Sequence, residues 1–428
     1  MKKRNRTYRI FRIIATSLSI PIILMWVLIV MLYIPPIQNF AVKKICDKIS
    51  KNSGFEVKIG SFHLAFPLQL SIADFEVSRN DTTYAKGEHA DVNISFAPLL
   101  KGEVEANYIS LERSFINTAK LIPGITVDGE IGFLRVVARN IDLKNEIANL
   151  RQIHLHSTDI EITLDDTTKT EDESDGEPLR WIVNLHRGSI ENCNLKLHIP
   201  NDTLSIAADL GKLRIRQGSI DIASERYSIS TIALGNSGIK YDVGNKSREV
   251  APLNHIELSN INLACRNIGY TPDSTKLELQ HLNFVQPGGI RITDASTTLF
   301  ADKEKLRINN FNINSKNGSY ATANATMEWS SLIGENGKLK ADLAVSLKKN
   351  DLHALLTKEQ LGALEPFDNN IFNGIFAVNG DMSYINIDPI DIDIPTIATL
   401  RANGYAKNLN DPATLEAKIA LRSKSCDI

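Results

Sequence analysis

The sequence has few cysteines and no long helical pattern in its main part. Its four cysteines, Cys46, Cys193, Cys265 and Cys426, lie far apart in the chain. Structural zinc sites and disulfide frameworks use closely spaced cysteines, so neither is indicated. Long helical periodicity is missing between residues 55 and 349. This absence excludes the α/β enzyme folds, whose parallel strands need helical connections.

No catalytic motif stands out either. The segment Gly235-Asn236-Ser237-Gly238 lacks the spacing of a nucleophile elbow, and Gly288-Gly289 fits a turn rather than a phosphate-binding loop. His154 and His156 share one face of a predicted strand, but no third metal ligand is nearby, so we interpret them as solvent-facing. A glycan-active enzyme would need paired carboxylates on an exposed face, and we find none. We expect no enzymatic activity, no cofactor and no metal.

Charge is distributed unevenly along the chain. The first twelve residues carry six basic side chains and no acid, which leaves 42 basic and 50 acidic residues in the remainder, a net charge of -8. A mildly acidic body argues against nucleic acid as a partner.

Residues 13–34 contain 22 positions without a charge. A helix of that length crosses a hydrocarbon core of ~30 Å, so we predict a single transmembrane anchor. A cleaved signal peptide is the alternative, but the sequence after Tyr33 offers no cleavage site with small residues. The basic residues favour a cytoplasmic tail at 1–12 and a body outside the cytoplasm.

A second helical pattern occupies residues 35–53 and ends at Gly54. Its apolar and charged residues separate onto different faces, which is typical of an amphipathic helix. Such a helix either lies on the membrane surface or covers the first strands of the body, and we favour the second.

From Phe55 onward, apolar and polar residues alternate as in half-buried strands, and the predicted strands include 153–164, 190–199 and 213–222. In the segment Ile256 to Leu263 the alternation slips by one residue at Asn260, and a bend there keeps the apolar side chains on one face. The same pattern recurs around Asp, Asn or His residues, which tolerate a left-handed backbone. The alternative is an ordinary antiparallel sheet with these residues in its turns. The predicted bends lie at Asp74, Asn140, Asp159, Asn194, Asn260, His281 and Asn310.

These strands predict one elongated, curled sheet with a continuous apolar groove over residues 54–349. Roughly 25 strands at ~4.8 Å would reach on the order of 100 Å. A flat sheet of this kind would expose too much apolar surface, so it must curl or be filled. The expected lining of the groove is Leu70, Ile72, Phe75, Val77, Ile141, Leu143, Ile256, Leu258, Ile261, Leu263, Leu277, Leu279, Leu282, Phe284, Leu306, Ile308, Phe311 and Ile313.

Two segments interrupt the strands. Residues 165–177 carry seven acids and almost no apolar side chain, which predicts a disordered acidic loop. A calcium loop is the alternative, but its required terminal Glu would fall on Ile182. Residues 350–428 are expected to form a short helix, at 351–361, and further groove strands. Their abrupt end suggests a truncated chain.

Four segments resemble the AsmA-like family of membrane-anchored periplasmic proteins, and the TamB-like proteins within it. They are Gly54 to Ser61, Phe66 to Val77, Ala90 to Val104 and Ala402 to Pro412, in the order basic tail, span, helix and strands. The resemblance implies an open β tube in the periplasm, anchored in the bacterial inner membrane, that moves phospholipid toward the outer membrane. It also implies a partner of the BamA class, bound through a C-terminal region that this sequence lacks.

Two functions therefore compete. A lipid conduit predicts an apolar face without interruption, which a charge at Leu258 or Ile261 should block. A scaffold for assembling outer-membrane proteins predicts an exposed strand edge and tolerates charges inside the groove.

Overall fold

The computed structural model describes residues 33–99, 106–118, 121, 124–142, 145–164, 180–244, 254–332, 336–352, 356, 362, 369–395, 397–411 and 413–426. The predicted tail and anchor fall on residues 1–32, outside this part of the chain, except for Tyr33 and Ile34. Within the described residues, no helix has the length and apolar character needed to cross a membrane.

The fold is mostly β and consists of one curled sheet of 19 strands in the described residues. The strands are β1 Glu56–Ala65, β2 Gln69–Arg79, β3 Thr82–Ile94, β4 Ala106–Asn117, β5 Ile125–Asp142, β6 Ile147–Leu164, β7 Ile182–Ile199, β8 Leu204–Asp221, β9 Arg226–Val243, β10 His255–Thr271, β11 Ser274–Val285, β12 Arg291–Asp302, β13 Lys305–Ser315, β14 Tyr320–Glu328, β15 Leu339–Lys348, β16 Asn370–Gly380, β17 Tyr384–Ile394, β18 Ala398–Lys407 and β19 Glu416–Cys426.

Helices are few and short. They are α1 Pro35–Ser53, α2 Phe96–Leu99, α3 Trp329–Leu332 and α4 Lys349–Leu352, with a 3₁₀ turn at Pro200–Asp202. Most of the helix expected at 351–361 lies outside the described residues. The structure describes only Asp351 and Leu352, which belong to α4, and Leu356.

Each strand pairs with the next one in the sequence, and all pairs except one are antiparallel. The exception is β6 with β7, which run parallel with Ile147 opposite Ile182. The predicted acidic loop falls between these two strands, on residues outside the described part of the chain. A parallel pair requires its connection to return to the end at which the first strand began.

Helix α1 lies along the β1 edge of the sheet. The side chain of Gln38, which is only 4% exposed, donates to the Leu64 carbonyl and accepts from the Leu64 N–H, both at 3.0 Å. The Ser50 hydroxyl accepts from the Val57 N–H at 3.3 Å. These bonds occupy edge groups of β1 and hold the helix against the first strand. It ends at Gly54, which has a φ of 71°.

Candidate functional site

One face of the sheet is apolar across all 19 strands. Residues directly opposite each other on paired strands share a face, so the register identifies the members of each face. On this face, which we call the inner face, each strand presents Ile, Leu, Val, Phe, Ala or Gly, with a few Tyr, Thr, Ser, Cys and Met. Representative pairs are Ile72 with Ala90, Leu155 with Ile190, Leu277 with Leu299 and Ile387 with Gly404. None of the paired positions on the inner face is charged in the described strands.

The register places 17 of the 18 expected groove residues on the inner face. Leu258 lies opposite Ile239, Leu263 opposite both Leu234 and Leu282, and Ile308 opposite Ala325. Leu143 lies outside the described residues. The backbone register shows that the other 17 residues share a face, and their role in binding stays a prediction.

A line of bends crosses the first ten strands, and we call it the first crease. Its residues with a left-handed backbone are Asp74, Arg113, Ser157, Asn192, Asn236 and Asn260, with φ between 41° and 53°. Gly60, Glu88, Gly132 and Gly211 occupy the facing positions on β1, β3, β5 and β8. From β1 to β9 the register is kept on both sides of the line, because each strand carries one extra residue there.

Two glycines at the first crease are required by close approach of the neighbouring strand. A Cβ on Gly132 would lie 2.4 Å from the carbonyl oxygen of Ser157, and a Cβ on Gly211 would lie 2.3 Å from that of Asn236. Backbone oxygens have little room to move, so a side chain at either position forces the strands apart.

Small polar residues follow the crease on the inner face. Ser114, Thr158, Cys193 and Ser237 are each at most 4% exposed. Each donates through its hydroxyl or thiol to the carbonyl two residues earlier, at 3.1 to 3.3 Å. This bond satisfies a carbonyl that the bend turns away from its strand partner.

A second crease crosses β5 to β10 about six residues from the first. It passes through Arg139, Arg151, His186, Gln217, Ser230 and Asn267, of which Gln217 and Asn267 have φ of 51° and 50°. At both creases the extra residue lies on the outer face, which lengthens that face relative to the inner one. The sheet therefore curls toward its apolar face, in agreement with the burial of Ala138, Ala148 and Cys265 beside the second crease.

Among the described residues, no second layer covers the resulting trough. The buried apolar residues of this part of the chain include no Leu, Val, Phe or Met, although these line the trough. Most of the side chains that line the trough are half-exposed. Some near the ends of strands are more exposed, such as Ile220 at 46% and Tyr270 at 41%. Large apolar side chains on a continuous, uncovered face mark a site of interaction with a protein, a membrane or an apolar ligand.

Several ion pairs and an aromatic cluster occupy the outer face. Arg113 pairs with Glu88 at the first crease, and this bond lowers the pKa of the Glu88 carboxyl. His156 stacks on Phe133 with ring centroids 5.1 Å apart, and His154 packs edge-on to the same ring at 5.7 Å. The expectation of merely solvent-facing histidines is therefore incomplete, since both are half-buried against an aromatic ring. No group of three potential metal ligands occurs in the described residues.

Comparison with protein-family models and with curated proteins found no match.

Proposed function

We propose that this chain binds phospholipid in its apolar trough and carries it along the sheet as a passive conduit. The observation that supports the proposal is the absence of charged residues from the paired inner-face positions of all 19 strands. An acyl chain needs apolar surface and no directional hydrogen bonds, so it can occupy any part of such a trough. A pocket for a polar small molecule would instead need a few convergent polar groups.

The proposed setting is the bacterial inner membrane. The span at 13–34 would anchor the chain with its tail in the cytoplasm, and the trough would stand in the periplasm and lead lipid toward the outer membrane. This arrangement is supported by the charge-free segment, the basic tail and the family resemblance. A BamA-class outer-membrane protein is the proposed partner.

Lipid content of the purified full chain tests the proposal. We expect native mass spectrometry to show several phospholipids on each chain, and solvent extraction to recover them. Leu258→Glu places a charge on the trough wall and should reduce the bound lipid several-fold. A folded wild-type chain without lipid would overturn the conduit.

Ala264→Glu is the matched control. Ala264 lies on the same strand but faces outward, opposite Ala233 and His281. The Ala264→Glu variant introduces the same side chain outside the trough, so its lipid content should stay at the wild-type value. Equal loss in both variants would show that detergent or unfolding, rather than the trough, determines the lipid signal.

A scaffold for outer-membrane protein assembly is the second candidate, and the β19 edge favours it. Among the described residues β19 pairs only with β18, and Ile419 and Leu421 on it are 54% and 65% exposed. An unpaired edge accepts a further strand by β-augmentation. Cross-linking from Ala420 to an unfolded outer-membrane protein would support this function, and cross-linking equal to that from Ser228 on β9 would contradict it.

A further inference from the structure

The outer face between and at the two creases carries a field of arginines. Three neighbouring rows of positions cross β5 to β10 there: one through Arg135 and Arg214, one through Arg187, Arg216 and Arg266, and the second crease with Arg139 and Arg151. None of the 18 positions in these rows is Asp or Glu. The seven arginines, which we call the arginine panel, are all exposed.

The panel is costly to the isolated sheet. Arg187 and Arg216 lie directly opposite each other on β7 and β8. Like charges in directly opposed positions destabilise a sheet. Within the described residues no arginine of the panel makes an ion pair, although Arg266 lies opposite Glu278 on β11. The guanidinium of Arg135 lies 5.0 Å from the centre of the Tyr108 ring. Other exposed bases on the outer face do find acids, as Lys240 does with Glu257 at 3.0 Å.

The panel is also selective for arginine. After residue 12 the chain has 26 lysines and 16 arginines, yet the three rows contain seven arginines and no lysine. Arginine binds carboxylates through two parallel hydrogen bonds and is weakly hydrated. Protein interfaces are enriched in arginine and aromatic residues and depleted in lysine, whereas general attraction to a polyanion uses both bases.

A depression beside the panel adds an unsatisfied hydrogen-bond acceptor. It has a volume of about 870 Å³ and is lined by Arg139, Arg151 and His186 together with Asn140 and Asn149. The Oδ1 atom of Asn140 is buried and has no hydrogen-bond partner in the described residues. This acceptor becomes available to an N–H donor when the Asn140 side chain turns into the depression. A peptide supplies such donors along its backbone, while a phosphodiester supplies none.

We propose that the arginine panel is a docking surface for an acidic peptide segment of a partner protein. Carboxylates of the segment pair with Arg187, Arg216 and their neighbours, and its backbone enters the depression beside Asn140. The panel lies on the face opposite the trough, so docking and lipid binding are separable. The panel covers roughly 500 Å² by the ordinary strand spacing, which is enough for a peptide.

Fluorescence anisotropy with the full chain tests this surface. The probe is a labelled 14-residue peptide of alternating Glu and Gly, with a Gln and Gly peptide as its neutral counterpart. We expect the acidic peptide alone to bind, with affinity that falls as salt rises. The double variant R187Q/R216Q should weaken binding at least tenfold. K196Q/K240Q, which removes two charges beyond the first crease, should change it less than twofold.

Four results would overturn the proposal. Equal weakening by both double variants would show attraction to general charge. Binding to anionic phospholipid vesicles or to a single-stranded oligonucleotide, without binding of the peptide, would assign the panel to a phosphate surface. Binding that appears only after the seven acids of residues 165–177 are changed to amides would show that the chain's own acids neutralise the panel. No binding under any of these conditions would remove the site.

Because R187Q/R216Q relieves a like-charge pair, its melting temperature should equal or exceed that of the wild type, which separates lost binding from lost folding.

Discussion

The central strands β5–β10 and the later strands β11–β19 build the same apolar trough in different ways. The central strands are 17 or 18 residues long and cross two creases, whereas the later strands have 9 to 12 residues. Six residues within the central strands have a left-handed backbone, compared with Asn310 alone within the later described strands. The central trough therefore has the longer perimeter and the sharper corners.

Two of the later strands keep their inner face apolar with alanine. β14 presents Ala321, Ala323 and Ala325, and β18 presents Ala398, Ala402 and Ala406. Apart from the bend at Asn310, the later strands bend by a register shift without left-handed backbone, as around Pro389 on β17 in the described residues. Proline lacks an N–H for the ladder, and the shift removes the need for one. The comparison shows that curvature in this sheet depends on added residues, and that side-chain size decides the space inside.

Gly132 lies at a corner of a central strand, and its substitution should have the largest effect on stability. Gly132→Ala would place a Cβ 2.4 Å from one backbone oxygen and 3.0 Å from a second. We expect the free energy of unfolding to fall by about 3 kcal/mol, measured by urea titration with far-UV circular dichroism. Gly218→Ala is the control, since its nearest neighbours are side-chain atoms at 3.8 Å. A similar small change in both variants would show that the first crease has room to spread.

Substitutions at corner residues with a left-handed backbone should have the next largest effect on stability. Asn260→Val puts a β-branched residue at a φ of 52° and should lower the free energy of unfolding by about 1–2 kcal/mol. Asn260→Gly keeps the conformation accessible and should stay near the wild-type value. Asn310→Val in the later strands should cost the same if the corner is local. Thermal unfolding of the three variants decides the matter, and a harmless Asn260→Val would contradict the proposed role of the crease.

The sequence predicted the corners only in part. Asp74, Asn260 and Asn310 were expected as bends and have left-handed backbone. The bends expected at Asp159 and Asn194 were wrong by two residues, since Ser157 and Asn192 occupy those corners. At these two corners the residue after the bend is a small polar one, Thr158 or Cys193, so the apolar pattern resumes two positions late. A search for apolar residues alone therefore places the corner too far along the chain.

Asn140 and His281 show a second limit. Neither has left-handed backbone, and the register instead shifts beside each of them. The corners at Arg113, Gln217 and Asn236 gave no signal in the search for apolar patterns.

Strand lengths were underestimated for a related reason. The sequence predicted strands at 153–164, 190–199 and 213–222, whereas β6, β7 and β8 begin at Ile147, Ile182 and Leu204. Alternation changes phase at each crease, and a phase change looks like the end of a strand in the sequence. The described sheet therefore has fewer and longer strands than the pattern suggested. The apolar face itself was predicted well, because every phase change returns the apolar residues to the same side.

The hydroxyl behind each central corner gives a smaller effect. Thr158→Val keeps the shape of the side chain but removes the donor to the His156 carbonyl, 3.2 Å away in a buried position. We expect a loss of about 1 kcal/mol in the free energy of unfolding. Thr297→Val on β12 removes a bond of 3.3 Å to the Asn309 carbonyl at an exposed position and should cost less. Equal losses would mean that the central and later bends depend on these bonds alike.

A buried carboxylate in helix α4, among the later strands, should have the smallest effect on stability, and this effect depends on pH. Asp351 in α4 is 7% exposed and accepts from the hydroxyl of Ser315, from Asn317 at 2.8 Å and from the Ser319 N–H at 3.4 Å. Burial acts to raise the pKa of Asp351, but these hydrogen bonds outweigh it and hold the pKa below its ordinary value. Its stabilising contribution is therefore present above the pKa of an unfolded Asp, about 3.9, and is lost as pH falls through the lower folded value. Asp351→Asn should be less stable than the wild type at pH 7, and the gap should narrow in urea titrations as the pH is taken below about 3.9. A stability gap that stays constant between these pH values would show that the cluster holds α4 by shape rather than by charge.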